Sequence, residues 1–128
     1  MCGIFGFYLN RKLNDRDISQ GVHSTNQLSH RGPDNRGYWH DKEKGIFLGH
    51  TRLSILDTSS KANQPFNNNN SQLVFNGEIY NYLSLKKKLE EDGSKFVTTG
   101  DTEVLSEVLY KKESDALKDI DGMFAFAF

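Results

Sequence analysis

The sequence holds one cysteine, two prolines and almost no charge imbalance, with 16 basic side chains against 17 acidic ones in 128 residues. Each scarcity excludes something. A single cysteine forbids an internal disulfide, whereas small secreted domains usually carry several, so the expected compartment is reducing and the expected location cytoplasmic. A net charge of −1 offers no basic field for nucleic acid or for an acidic membrane surface. The early apolar run Ile4–Leu9 is far shorter than the ~18 residues of a membrane span. No basic region precedes it, so it does not read as a secretory leader either. No strand leads into a glycine-rich turn closed by Lys-Ser/Thr, so no ATP phosphate site is expected. His23, His30, His40 and His50 are spaced by 7, 10 and 10. That matches neither a helical i, i+4 pair nor a zinc-finger spacing, and no metal site is expected.

What is present fits one domain of ordinary length. Residues 2–9 are nearly all apolar or aromatic and read as a strand buried on both faces. Asn14 or Asp15 can cap a helix with Ile18, Val22 and Thr25 on one face. His30-Arg31-Gly32-Pro33-Asp34 is loop chemistry. Residues 45–51 read as a second strand. Residues 59–71, with the run Asn67 to Asn70, read as a mobile surface loop. Gln72 to Phe75 is a short strand running into Asn76-Gly77, a strong turn signal. Tyr82, Leu85 and Leu89 mark an amphipathic helix ending near Gly93. After an extended Phe96-Val97-Thr98, Asp101 or Thr102 caps a helix with Val104, Leu105, Val108 and Leu109 inward. Residues 123–128 alternate Phe and Ala like a buried strand. Lys86-Lys87-Lys88 reads as a solvated helix face.

Cys2 lies directly after the initiator. Removal of Met1 would leave a thiol and a free α-amine on one residue. At neutral pH roughly a tenth of such amines are unprotonated, so one residue can supply nucleophile and base. The competing reading is an incidental cysteine. Asn76 and Gly77 can aim a side-chain N–H and a backbone N–H at one point, the parts of an oxyanion hole, or can simply turn the chain. Arg52 can hold a carboxylate bidentately or pair on the surface. Glu78 and Asp101 can bind an ammonium, and Asp101 is equally well explained as a helix cap. A Cys2–His50 dyad is conceivable, although nothing local supports it. Together these groups suit an α-amino acid whose side-chain carbonyl is attacked.

Several motifs recur in the order of a known family. They are Met1-Cys2-Gly3-Ile4, His30-Arg31-Gly32-Pro33-Asp34, Gly49 through Asp57, Gln64-Pro65, Asn76-Gly77-Glu78-Ile79-Tyr80-Asn81, Gly100-Asp101-Thr102-Glu103 and Gly122 through Ala127. On these residues the chain resembles the class II glutamine amidotransferase domain of the asparagine synthase (glutamine-hydrolysing) family, across residues 1–128. The resemblance implies an α+β fold of the N-terminal-nucleophile hydrolase type, a four-layer α-β-β-α sandwich. It implies Cys2 as nucleophile after loss of Met1, with Asn76 and Gly77 as the oxyanion hole. Arg52 would take the glutamine carboxylate, and Glu78 and Asp101 its amino group. The segment Arg52, Leu53, Ser54, Ile55 and Leu56 would line the pocket, and Arg31 to Asp34 would form a structural loop beside it.

The implied partners are L-glutamine and a synthetase domain or partner chain that uses ammonia with ATP and magnesium to amidate aspartate. No cofactor is expected in this chain. The family's domain continues past the apolar strand at 124–128, so an incomplete sandwich is expected, prone to self-association or homodimer formation through unpaired edges. Two other readings stay open. One is an amidotransferase domain serving another acceptor, and the other is a non-catalytic truncated fragment.

Overall fold

The computed structural model describes residues 1–128. Strands β1 (Gly3–Tyr8), β2 (Asn35–Asp41) and β3 (Ile46–Arg52) form one antiparallel sheet in the order β1-β3-β2. Strands β4 (Phe66–Asn68), β5 (Ser71–Ile79) and β6 (Gly122–Ala127) form a second, in the order β4-β5-β6. Helix α1 (Asp15–Asn26) packs on the first sheet, the two sheets meet through β1, β3 and β5, and α3 (Asp101–Lys112) packs on β4 and β5. Helix α2 (Tyr82–Glu91) lies against α3. The layering is therefore α-β-β-α, as the resemblance implies.

Local chemistry explains most element boundaries. Asn14 caps α1 through a capping box: its side chain accepts from the Asp17 amide, and the Asp17 carboxylate accepts from the Asn14 amide. The main apolar core joins Leu73, Phe75 and Ile79 of β5 to Leu85 and Leu89 of α2 and Val104, Leu105, Val108 and Leu109 of α3. These are the helical positions that the apolar spacing selects. On β3 the alternation is equally clear. Phe47 and Gly49 face α1, where a side chain at Gly49 would run into Thr25. Leu48, His50 and Arg52 take the opposite face, toward β5.

Four sequence expectations change. Asn76-Gly77 is not a turn, because β5 continues through it to Ile79 and pairs with β6, Asn76 opposite Ala125 and Gly77 opposite Phe124. The hairpin turn lies earlier, at Asn69-Asn70, where φ is 51° and 60° and Asn68 pairs with Ser71. Two central residues at positive φ are what a two-residue hairpin loop of the primed type requires, and asparagine tolerates that region. Residues 59–71 are accordingly not a featureless loop: they hold a 3-10 turn at Ser60–Ala62 and strand β4, and bury Ala62, Gln64 and Phe66. Strand β1 is only half-buried, alternating outward to an exposed Tyr8. Strand β2 has no counterpart in the sequence reading. No helix is long and apolar enough to cross a membrane.

Candidate active site

A cavity of about 110 Å³ opens where the ends of β1, β3 and β5 meet the start of α3. Gly3 pairs with Thr51, so Cys2 stands one step further along, beside Arg52. The Cys2 thiol is half-buried: Sγ accepts from the Leu53 amide at 3.4 Å and lies 3.7 Å from the Leu53 carbonyl. Arg31 Nε donates to the Cys2 carbonyl at 3.0 Å. The Arg31–Asp34 loop thus grips the backbone of the candidate nucleophile. Its far end ties down β3, since the Asp34 amide donates to the Arg52 carbonyl at 3.0 Å and Asp34 Oδ2 accepts from the Ser54 amide at 2.7 Å.

Arg52 is nearly buried and holds the loop that follows it. Nη1 donates to Ser59 O and Asn63 Oδ1, each at 2.8 Å, and Nη2 donates to Asp57 O. Three of its five N–H groups are used, which leaves Nε–H and one Nη2–H for a ligand carboxylate. Asp57 fixes the same loop to the start of α3, accepting from the amides of Ser59 at 2.8 Å and Thr99 at 3.0 Å. The hydrogen bonds from Ser59, then those from Thr99, hold its carboxyl well below the usual range.

The strand geometry of β5 sets the other wall. Asp101 Oδ2 accepts from the Ile79 amide at 3.0 Å, and Gln64 Oε1 accepts from the Phe75 amide at 2.6 Å. Odd-numbered residues of β5 therefore point their N–H and C=O groups away from β6. Beyond Leu73 no strand covers that edge. Gly77 N–H lies between these two satisfied amides with no neighbouring strand to accept it, and Gly77 borders the cavity that holds Cys2. Only glycine fits there: φ is +155°, and an added Cβ would strike the Met123 carbonyl and lie 2.7 Å from Phe124 Cα. Asn76 Oδ1 is buried with no partner.

Asp101 is the first residue of α3 rather than its cap, which is Gly100. Burial pushes its carboxyl pKa up, the Ile79 amide opposes that shift, and nearby Glu78 adds to it. His50 is fully buried. Nε2 donates to the Phe75 carbonyl at 3.1 Å, and Nδ1 has no partner. Burial pushes its pKa down to about 4, the Phe75 carbonyl opposes that, and the Arg52 charge adds to it. His50 makes no bond to Cys2, so the conceivable dyad does not form.

Of the residues expected at the site, Cys2, Arg52, Leu53, Ile55, Leu56, Asn76, Gly77, Glu78 and Asp101 all line the cavity. Ser54 does not, its amide being held by Asp34. The sequence gives no sign that Gln64, Thr98 and Thr102 stand on the cavity wall, and it offers His50 only as a partner of Cys2, whereas His50 lies behind the wall and bonds Phe75. No group of three or more His, Cys, Asp or Glu side chains is arranged to hold a metal ion.

The family model of the glutamine amidotransferase domain matches residues 1–128. The chain is 39% identical over 130 residues to asparagine synthetase [glutamine-hydrolyzing] 1 of Bacillus subtilis, covering 98% of this chain and 20% of that protein. It is 36% identical over 145 residues to the putative asparagine synthetase 2 of Methanocaldococcus jannaschii, covering 98% and 27%. It therefore spans far less than half of these relatives. Among solved structures, glutamine phosphoribosylpyrophosphate amidotransferase from B. subtilis superposes with a TM-score of 0.73 at 25% identity, over 96% of this chain and 34% of that one. Together the layering, the cavity and these matches assign the chain to the glutamine amidotransferase domain family, with N-terminal-nucleophile amidotransferases as its structural neighbours.

Proposed function

We propose that this chain is the glutaminase portion of a glutamine-hydrolysing asparagine synthase. Removal of Met1 turns the Cys2 nitrogen from a peptide amide into an amine. That amine takes the thiol proton, and the thiolate attacks the side-chain amide carbon of glutamine. The oxygen gathers negative charge opposite Gly77 N–H and the Asn76 side-chain amide. Collapse of the adduct breaks the C–N bond, and the protonated amine returns its proton so that ammonia leaves. Water then adds to the γ-glutamyl thioester, releasing glutamate and regenerating the thiol.

At the substrate's other end, the open Nε–H and Nη2–H of Arg52 match the two oxygens of the α-carboxylate. Glu78 and Asp101 face the α-ammonium. Ammonia is then used by a synthetase partner that activates aspartate with ATP and magnesium, which are bound outside this chain.

The observation that carries this reading is Gly77 N–H, left open on an otherwise occupied strand edge and bordering the cavity with Cys2. The test is glutamate release from glutamine by Met1-free protein, verified by intact mass, together with labelling by an electrophilic ketone analogue of glutamine. Turnover and one added label on Cys2 are expected, and Cys2→Ala should lose both without loss of fold. A folded, Met1-free chain that neither turns over nor takes the label would overturn the reading.

A further inference from the structure

The strand edge that carries Gly77 is not held by another strand at the point where position matters most. Strand β4 ends opposite Leu73, two residues before Phe75 and three before Asn76. The Phe75 peptide is nevertheless satisfied on that edge by two side chains. Its amide donates to Gln64 Oε1 at 2.6 Å, and its carbonyl accepts from His50 Nε2 at 3.1 Å. Both side chains are buried, and together they replace the ladder bonds that β4 would have supplied.

We propose that His50 and Gln64 are positioning residues for glutamine hydrolysis: they clamp the Phe75 peptide from both of its polar groups and so set where Asn76 and Gly77 present their oxyanion donors. The clamp rests on the proposed glutaminase reading and deepens it.

Three features support it. First, the Asn76 Oδ1 atom is buried without a partner, so no hydrogen bond to that oxygen orients the Asn76 amide, and its aim depends on the backbone. Second, His50 is two residues from Arg52 on β3, and its bond crosses from that sheet to β5. It therefore ties the strand that would hold the substrate carboxylate to the strand that would hold the reacting carbonyl, and fixes the span between them. Third, Gln64 Nε2 lies 3.5 Å from the Thr102 hydroxyl, which anchors the amide to the start of α3 beside Asp101. A carbonyl can only accept, so Nε2 of the buried, neutral ring carries the proton. The unpartnered Nδ1 leaves the Phe75 bond as the ring's one hydrogen-bond constraint.

The test compares the full chain with His50→Leu and Gln64→Leu, which remove a clamp bond, and with His50→Gln, whose amide N–H replaces the ring donor. Rates are taken per active site, titrated by the ketone label on Cys2. For the two Leu variants kcat is expected to fall on the order of 10- to 100-fold, as small displacements of a catalytic donor do. KM should stay within about threefold. The affinity for the aldehyde analogue of glutamine, which forms a tetrahedral adduct with the thiol, should fall in proportion to kcat. His50→Gln should restore most of the loss.

Amide exchange at Phe75, followed by NMR, gives a readout that needs no activity, and about a tenfold acceleration is expected in the Leu variants. Unchanged kcat per labelled site, or His50→Gln as slow as His50→Leu, overturns the clamp. If the wild-type chain is neither active nor labelled, the glutaminase reading fails by itself. The clamp is then upheld by accelerated exchange at Phe75 and overturned by unchanged exchange. Should His50→Leu fail to fold, Gln64→Leu and His50→Gln decide the same question.

Discussion

Acidifying the protein from pH 7 to pH 5 tests the burial of His50 directly. In the unfolded chain an ordinary histidine titrates near 6.5. In the folded chain burial holds His50 down to about 4. Between those values the unfolded chain binds a proton that the folded chain refuses, so stability falls as pH falls, by up to about 1.4 kcal/mol per pH unit. Integrated from pH 7 to pH 5, the loss is about 2 kcal/mol, and it reaches about 3 kcal/mol by pH 4.

Other groups act elsewhere or in the opposite sense. The depressed carboxyls of Asp17 and Asp57 lose their partners only below the ordinary carboxylate range. Asp101, whose carboxyl is raised, binds its proton more readily when folded and so offsets part of the loss. The comparison with His50→Gln removes these common contributions, because glutamine keeps the donor to Phe75 and does not titrate. Urea denaturation of both proteins at pH 7, 6 and 5 is the assay. The wild-type midpoint should drop by about 1 M more than that of the variant, for an m-value of ordinary size. Parallel midpoints for the two proteins across that range would refute the burial argument, because a histidine in water would titrate alike in both states.

Arg31→Ala removes the hydrogen bond to the Cys2 carbonyl from an exposed side chain, so glutamine turnover should fall about tenfold while stability changes by less than about 1 kcal/mol; rates per labelled thiol and urea midpoints check both. Arg52→Ala orphans the Asp57 and Ser59 carbonyls and the Asn63 amide oxygen, so it should cost roughly 2–4 kcal/mol of stability and raise the glutamine KM steeply. Because the Asp101 carboxyl is raised above the ordinary range, its charge is lost first as pH falls, so the KM for glutamine should climb in acid earlier than a normal carboxylate allows. Asp101→Asn should remove that climb and leave a uniformly high KM. Asn70→Val places a branched side chain at positive φ and should cost about 1–2 kcal/mol, whereas Asn67→Val, on the exposed side of β4, should change the urea midpoint little.

What the sequence disclosed divides along a physical line. Helices α2 and α3 and the cap of α1 were legible because spacing and capping are local: Leu85 and Leu89 repeat within one helix, and Asn14 meets Asp17 three residues on. The cavity residues were legible because Cys2, Arg52, Asn76, Gly77 and Asp101 are the residue types that the proposed chemistry needs, and they do line one cavity. Strand β2 stayed hidden because its inward positions, Asn35, Gly37, Trp39 and Asp41, are only half-buried and mostly small or polar, and period-two reading relies on apolar ones. Asn76-Gly77 misled for a deeper reason. A turn preference worth a fraction of a kcal/mol competes with a ladder supplied by β6, whose partner residues Phe124 and Ala125 lie far along the sequence. The same non-local pairing turns Gly77 from a turn-former into a strand residue whose N–H is left facing the cavity. The part that Gln64 and His50 play on the β5 edge could not be read, because nothing in a side chain announces that it will replace a missing strand. That role exists only once β4 has stopped short of Phe75, and the break in the ladder leaves the edge at Gly77 bordering the cavity where the proposed oxyanion would sit.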